Sequence, residues 1–297
     1  MDDFECIIVD DGSIDKSVDA SYAIIDDDKR FRILEIQHDG LSTARNVGID
    51  SANGDVIFHM DADDEARPDM LEKAISFLDE NNLELVFFNA ESRTDLEDSS
   101  IGIPIKRYFT REMHYGISSG RKMLDRMASN GDFVYAVFIQ AARKSAIRRK
   151  FHRGLRAQDM LYTTQNLFLA DRVGHLPETL YIKNISADSV SLSRPDAHYA
   201  WSMLTTFFEI QKFAEEQCND KCIGLEMVAD QAFQALTYAV KNLNKDDWKK
   251  IMNTTSFTER TMLAAIGRLV YTPAVKRRLE RNMPEEWKWF CETVQAK

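Results

Sequence analysis

Long apolar runs are absent from this sequence of 297 residues. No stretch of about 18 consecutive apolar residues occurs, so we expect no transmembrane helix. The first residue, Met1, is followed by two aspartates, and the start of the chain does not resemble a signal peptide. Both absences favour a cytoplasmic location.

Basic residues are outnumbered by acidic ones. The 38 Lys and Arg against 48 Asp and Glu give a formal net charge of -10. This balance argues against general affinity for nucleic acid, because phosphate backbones are bound by basic surfaces. A phosphate-bearing ligand would therefore need a local metal ion or backbone amides to hold it.

The cysteines are too few to form a framework of disulfides or a zinc site. Two of the four, Cys218 and Cys222, are one helical turn apart, but neither a second pair nor a nearby histidine completes a zinc set. The other two are Cys6 and Cys291. We expect all four to be reduced thiols, as in a cytosolic protein.

What the first half does contain is an alternation of short apolar strands and helical stretches, which predicts a βαβ sheet. Helices are expected from about Lys16, after Ser42 as a capping residue, and after Pro68. The expected strands lie near residues 5–9, 31–36, 55–60 and 83–88.

The second half has a different character. Residues 91–131 are polar and poorly periodic, which predicts loops over the sheet, and regularity returns at 133–143 and 159–170. Three helical blocks then follow near residues 199–217, 225–242 and 257–281. We predict an α/β sheet domain over residues 1–195 and a helical segment over residues 196–297.

Two acidic clusters come directly after predicted strands, at Asp10 and Asp11 and at residues 61–64. In open α/β sheets, ligands bind at the carboxyl ends of the strands. Asp61 and Asp63 are two residues apart in a segment expected to be extended, so their carboxylates should face the same way. Such a pair suits Mg²⁺ or Mn²⁺. The alternative is a solvated acidic turn that precedes a helix.

Four motifs occur in a fixed order: IIVDDGSID at residues 7–15, GLSTARNVGI at 40–49, GDVIFHMDADD at 54–64, and then Pro68 with Asp69. This set closely resembles the family 2 glycosyltransferases of bacterial surface-polysaccharide assembly. The resemblance covers about residues 4–195. It implies a Rossmann-like GT-A sheet domain and an inverting hexosyl- or N-acetylhexosaminyltransferase, whose nucleotide-sugar donor is most often linked to UDP.

The resemblance also assigns roles to the residues of the motifs. It implies that Asp11 hydrogen-bonds the nucleobase and that Arg45 lies beside the donor. Asp61 would lie near the ribose and the metal, and Asp63 would coordinate the metal that bridges the diphosphate. An alternative for Arg45 is that it braces the two acidic loops.

A later stretch, FHRGLRAQDMLY at residues 151–162, matches the segment in which the family has a Glu-Asp pair before a helix. The resemblance implies that Asp159 is the base that deprotonates the acceptor hydroxyl, while Gln158 replaces the family's Glu. The alternative for Asp159 is a helix N-cap. His198 stands where some relatives have a third metal ligand, and otherwise it is an ordinary histidine at a helix start.

The chain departs from the family at its beginning, because relatives have a strand and a helix before the first acidic turn. Two functions therefore stay open: a metal-dependent glycosyltransferase, or a truncated, inactive homologue that acts as a scaffold in a polysaccharide-assembly complex. The Gly-rich basic loop of a nucleotidyltransferase is absent. So is the Thr after the nucleophilic Asp of Asp-x-Asp phosphatases. The Gln-x-x-Arg-Trp motif of processive synthases is also absent, which favours single additions.

A basic stretch near the end of the chain, residues 276–281, lies beside Trp287 and Trp289. It predicts contact with an anionic membrane surface, or else a solvated helix face. The partners expected from the sequence are thus a UDP-sugar, a glycan or lipid-linked saccharide acceptor, the inner face of a membrane and a second copy of the chain in a homo-oligomer.

Overall fold

The computed structural model describes residues 3–94, 109–186, 193–244 and 246–247. By their contacts the described residues divide into two compact units. The first unit takes those of 1–193 and 210–228, and the second takes those of 194–209 and from 229 onward. The contacts thus group residues 210–228 with the first unit. The predicted domain boundary at residue 195 stays a prediction.

The described residues alternate between strands and helices over most of the first unit. The strands are β1 (Cys6–Asp10), β2 (Phe31–Glu35), β3 (Val56–Phe58), β4 (Glu65–Ala66), β5 (Leu85–Arg93), β6 (Ile117–Ser118), β7 (Gln140–Arg143) and β8 (Val173–Asn184). The α-helices are α1 (Ser17–Ile25), α2 (Leu41–Ser51), α3 (Met70–Glu80), α4 (Gly120–Ser129), α5 (Asp159–Leu169), α6 (Ala197–Gln217) and α7 (Ile223–Asn242).

The strands form two sheets, and the expected α/β class is confirmed. β1 and β2 make a parallel pair in which Ile8 lies opposite Ile33. The larger sheet has the order β3-β7-β5-β8-β4, with β6 paired to β8. β7 lies between β3 and β5 and runs antiparallel to both, whereas β5 and β8 are parallel. The larger sheet is therefore mixed. The sequence did not predict this, because the periodicity of a strand does not fix its direction in the sheet.

The core of the first unit lies between this larger sheet and its helices. β5 begins with six buried residues, and α3 buries Met70, Ala74 and Leu78 at the four-residue spacing of one helix face. On β8, the buried ring of Tyr181 stacks on Phe138 with 4.8 Å between the ring centroids. This packing fixes the end of β8 that carries part of the candidate site.

The prediction of loops over residues 91–131 is wrong for α4. Ser119 caps this helix by accepting a hydrogen bond from the backbone N–H of Lys122, at 3.4 Å. A Cβ at Gly120 would collide with the backbone carbonyl of Leu167, so α4 approaches α5 closely only because position 120 lacks a side chain. The buried side chains of α4 recur at helical spacing, and this periodicity is the local signal for the helix: Met123, Leu124 and Met127.

Two smaller expectations are also wrong. Ser42 does not cap α2, because the helix begins at Leu41 and Ser42 is buried in its first turn. Cys218 and Cys222 are joined in a disulfide and are not reduced thiols. They do not share a helix, because α6 ends before Cys218 and α7 begins after Cys222, and the turn brings their Cα atoms to 6.6 Å.

The helical blocks predicted near 199–217 and 225–242 are confirmed as α6 and α7. The third block near 257–281, the basic stretch at 276–281 and Cys291 lie outside the described residues. Within the described part of the chain, no helix is long and apolar enough to cross a membrane.

Candidate active site

The acidic cluster between β3 and β4 forms a tight turn over residues 61–64, called the acidic turn below. The backbone N–H of Asp64 donates to the carbonyl of Asp61 at 3.2 Å, so the expectation of an extended segment is wrong. The turn brings one carboxylate oxygen each of Asp61, Asp63 and Asp64 within 4.8 Å of one another. The Asp64 side chain is fully buried, while that of Asp63 is 66% exposed.

Strand β8 holds this turn in place. The Tyr181 hydroxyl donates to Asp64 Oδ2 at 2.7 Å and accepts from the backbone N–H of Asp61 at 3.1 Å. The backbone N–H of Asn184 donates to Asp64 Oδ1 at 2.9 Å, and its side-chain amide donates to the Asp63 carbonyl at 2.8 Å. Asp64 is therefore an anchor of the turn, and Asp63 presents its carboxylate to solvent.

Lys183, also on β8, places its ammonium group among the three carboxylates. Its Nζ lies 3.2 Å from Asp61 Oδ2, 3.5 Å from Asp63 Oδ1 and 3.0 Å from Asp64 Oδ2. Burial acts to lower the pKa of Lys183, but the carboxylates outweigh it and raise that pKa. Burial is also the main reason that the pKa of Asp64 is raised. Lys183 lies in none of the motifs recognised in the sequence.

Arg45 on α2 joins two of the predicted site residues. Its Nη2 donates to Asp61 Oδ1 at 2.8 Å, and its Nη1 donates to Asp159 Oδ1. The Arg45 side chain is only 10% exposed, and its guanidinium lies over the ring of Phe151, 5.4 Å from the centroid. Burial alone would raise the pKa of Asp61, but the charges of Arg45 and Lys183 together lower it. Arg45 thus braces the acidic turn against the start of α5.

Asp159 is the first residue of α5 and does not act as its N-cap. Its Oδ2 accepts a long hydrogen bond, 3.4 Å, from the backbone N–H of Val137. The preceding Gln158 is buried. Its side-chain amide makes two hydrogen bonds when the nitrogen donates to the Leu155 carbonyl and the oxygen accepts from Arg45 Nη1. Gln158 therefore supports the same guanidinium that holds Asp159.

Asp11 lies just past β1 and binds the loop before α2. Its Oδ1 accepts from the backbone N–H of Asp39 and its Oδ2 from that of Gly40, each at 2.9 Å. His198 belongs to the second unit, where its ring stacks on Trp201 with 5.7 Å between centroids. The predicted nucleobase contact of Asp11 and the predicted metal ligation by His198 stay predictions.

The composition of the acidic turn fits a hard divalent cation. Its side chains offer only carboxylate oxygens, which Mg²⁺ and Mn²⁺ prefer. Among the ion pairs of the described residues, the three aspartates of the turn and Asp159 meet two cations, Arg45 and Lys183. Two negative charges are left over, and one divalent ion would neutralise them.

The sequence matches known proteins over its first half in particular. The family model described as Glycosyl transferase family 2 matches residues 1–151. An uncharacterized glycosyltransferase of Escherichia coli, YibD, is 27% identical over 238 residues, which is 79% of this chain and 68% of that protein. An uncharacterized glycosyltransferase of Haemophilus influenzae is 40% identical over 98 residues, and the match spans 39% of its length.

Solved structures extend the likeness to the whole fold. TarS of S. aureus in complex with UDP-GlcNAc has a TM-score of 0.64 at 15% identity, covering 99% of this chain and 83% of that one. TarS in complex with UDP has a TM-score of 0.62 at 14% identity, with 99% and 82% covered. At such identities the likeness shows the fold. It confirms the expected Rossmann-like GT-A sheet domain followed by helices.

Proposed function

The chain belongs to glycosyl transferase family 2, and on this premise we propose that it transfers a sugar from a UDP-sugar to an acceptor hydroxyl with inversion at the anomeric carbon. The crystal structures of TarS with UDP-GlcNAc and with UDP support a UDP-linked donor. The proposed acceptor is a glycan or a lipid-linked saccharide. One sugar would be added in each encounter.

The observation that carries the proposal is the position of Arg45 between Asp61 and Asp159. One guanidinium binds a carboxylate of the acidic turn at one edge and the candidate base at the other. An inverting displacement needs its base and its leaving group on opposite sides of the reacting carbon. Because the guanidinium is rigid and almost fully buried, it fixes the spacing between these two functions.

Asp159 is the proposed general base. Arg45 holds Oδ1, whereas among the described residues Oδ2 has only the long contact with the Val137 amide. Oδ2 is therefore the atom that would accept the proton of the acceptor hydroxyl as its oxygen attacks the sugar. Arg45 keeps the carboxylate oriented for this transfer.

Asp61 and Asp63 are the proposed ligands of Mn²⁺ or Mg²⁺. When bound, such an ion would stabilise the negative charge that develops on the departing UDP. Asp64, tied to Tyr181 and Asn184, would hold the turn in shape. His198 is proposed as a further ligand on the family resemblance alone.

Asp11 is the proposed contact to the nucleobase. Its carboxylate has about four lone-pair sites; the backbone amides of Asp39 and Gly40 engage two of them, and His38 Nδ1 lies 2.9 Å from Oδ2. The remaining capacity would accept the imide N–H of uracil. The meeting of Asp61 and Asp159 at Arg45 weighs against the alternative of an inactive scaffold.

Calorimetry with UDP tests the donor and metal roles. We expect UDP affinity to fall at least about tenfold when Mn²⁺ is replaced by a chelator, and Asp63→Asn to reproduce this loss. Asp50→Asn is a matched control, because Asp50 is an exposed aspartate paired with Lys150 away from the acidic turn. Equal UDP affinity with Mn²⁺ and with chelator would contradict the metal role.

A further inference from the structure

We propose that Lys183 is the resident cation of the acidic turn and competes with a divalent ion for Asp61 and Asp63. This inference rests on the metal role proposed above and adds a regulation of that site. It concerns the state of the turn before the donor binds.

The first support is the position of the ammonium group. Lys183 Nζ lies 3.0–3.5 Å from one oxygen of each of the three aspartates. The three aspartates also bring one carboxylate oxygen each within 4.8 Å of one another, and Nζ, in contact with all three side chains, occupies the place of a cation that they would share. Mg²⁺ binds its ligand oxygens at about 2.0–2.1 Å, so an ion at this point would occupy the space that the ammonium group now fills. The ammonium and the ion therefore exclude each other.

The second support is that the carboxylate oxygens are already engaged. Asp61 uses Oδ1 for Arg45 and Oδ2 for Lys183. Both oxygens of Asp64 are bound as well, by the hydroxyl and ammonium groups of β8 and by the Asn184 amide. A divalent ion at the remaining lone pair of Asp61 Oδ2 would lie close to the ammonium group, and the two like charges would repel each other unless Lys183 moved away.

The third support is the unequal anchoring of the three aspartates. Asp64 is fully buried, and its oxygen is the nearest to Lys183 Nζ, whereas Asp63 is mostly exposed and lies farthest. Lys183 can withdraw from Asp61 and Asp63 while keeping its contact with Asp64. Its Nζ also lies over the ring of Phe138, 5.4 Å from the centroid, and this cation–π contact helps to keep the ammonium group at this site.

Competition has a measurable consequence. A divalent ion that enters the donor-free protein must displace Lys183, so its affinity is reduced by the strength of the lysine contacts. Removing the ammonium group should therefore strengthen metal binding, although it removes a contact of the turn. A lysine that merely oriented the carboxylates would have the opposite effect, because its loss would weaken metal binding.

The test measures the binding of Mn²⁺ to the donor-free protein. Electron paramagnetic resonance detects the Mn²⁺ that remains free in solution. Lys183→Met keeps most of the apolar stem and removes the charge, and we expect it to raise Mn²⁺ affinity at least about tenfold. Lys183→Arg keeps the charge and should leave the affinity near that of the parent. Lys73→Met is the matched control, because Lys73 also bridges two carboxylates, of Asp69 and Glu178, outside the acidic turn.

Unchanged or weaker Mn²⁺ binding in Lys183→Met would overturn the proposal, as would an equal gain in Lys73→Met. Circular dichroism checks that each variant is folded, and Lys183→Gln provides a second uncharged variant if Lys183→Met does not fold. If Mn²⁺ binds to no variant, with or without UDP, while UDP still binds, both the metal role and this proposal fail. If Mn²⁺ supports UDP binding in the parent but Lys183→Met gains no affinity, only this proposal fails.

Discussion

Replacement of Arg45 by Met is the perturbation for which the structure predicts the largest loss of stability at the site. Met keeps an apolar stem but removes the guanidinium that binds Asp61 and Asp159. Two carboxylates would then lose a partner in a largely buried setting. Of the cations in the described part of the chain that pair with Asp61, Lys183 would remain. Four aspartates would be left with one cation.

The magnitude follows from the cost of leaving a buried charge unpaired, which is roughly 3–5 kcal/mol when one partner of a buried ion pair is removed. Because Lys183 still screens Asp61, and Asp159 is partly exposed, we expect about 3 kcal/mol, the lower end of that range. The exposed pair of Arg67 and Glu91 provides the control, and Arg67→Met should change stability by less than about 1 kcal/mol.

The assay is urea unfolding at several pH values, followed by circular dichroism and fluorescence. A carboxylate whose pKa is lowered in the folded state adds stability above its unfolded pKa, and that stability is lost as the pH falls through the folded pKa. Since Arg45 helps to lower the pKa of Asp61, the difference between parent and variant should shrink below about pH 4. Equal losses for Arg45→Met and Arg67→Met, or a difference independent of pH, would refute the reasoning.

Three further substitutions test the packing around the site by urea unfolding. Gln158→Glu replaces an amide that donates to a backbone carbonyl with a group that cannot donate when ionised, and we expect a loss of about 1–3 kcal/mol. Tyr181→Phe removes the hydroxyl that binds the buried carboxylate of the acidic turn and should cost about 1–3 kcal/mol, whereas Tyr238→Phe at an exposed position should cost little. Gly120→Ala should destabilise by at least about 1–3 kcal/mol, because its methyl group would collide with a backbone carbonyl of α5. Unchanged midpoints for these variants would contradict the contacts described.

The parts of the site that sequence reasoning could find are those carried by local patterns. Arg45, Asp61 and Asp159 each lie in a motif whose strand or helix is visible from its own periodicity, and the structure brings the three together. The order of the motifs was enough to identify the family. Arg45 pairs with Asp61 of one acidic cluster and with Asp159 on α5, which differs from the bracing of the two acidic loops that the sequence left as an alternative.

Lys183 could not be found in the same way. It lies 122 residues after Asp61, and their contact depends on the pairing of β4 with β8, in which Ala66 lies opposite Tyr181. The register between two strands that are distant in the sequence cannot be read from the spacing of residues within either strand. The disulfide was missed for a related reason, because a helical turn and a reverse turn can both separate two cysteines by four residues.

The most direct test of the central claim is to compare UDP affinity with sugar release from UDP-N-acetylglucosamine for Asp159→Asn and the parent. The substitution keeps the size of the side chain, and circular dichroism confirms folding. We predict that sugar release falls by about 10²–10⁴-fold, the usual contribution of a positioned base, while UDP affinity stays within roughly twofold. Release at the parent rate would contradict the account, because the base would then lie elsewhere.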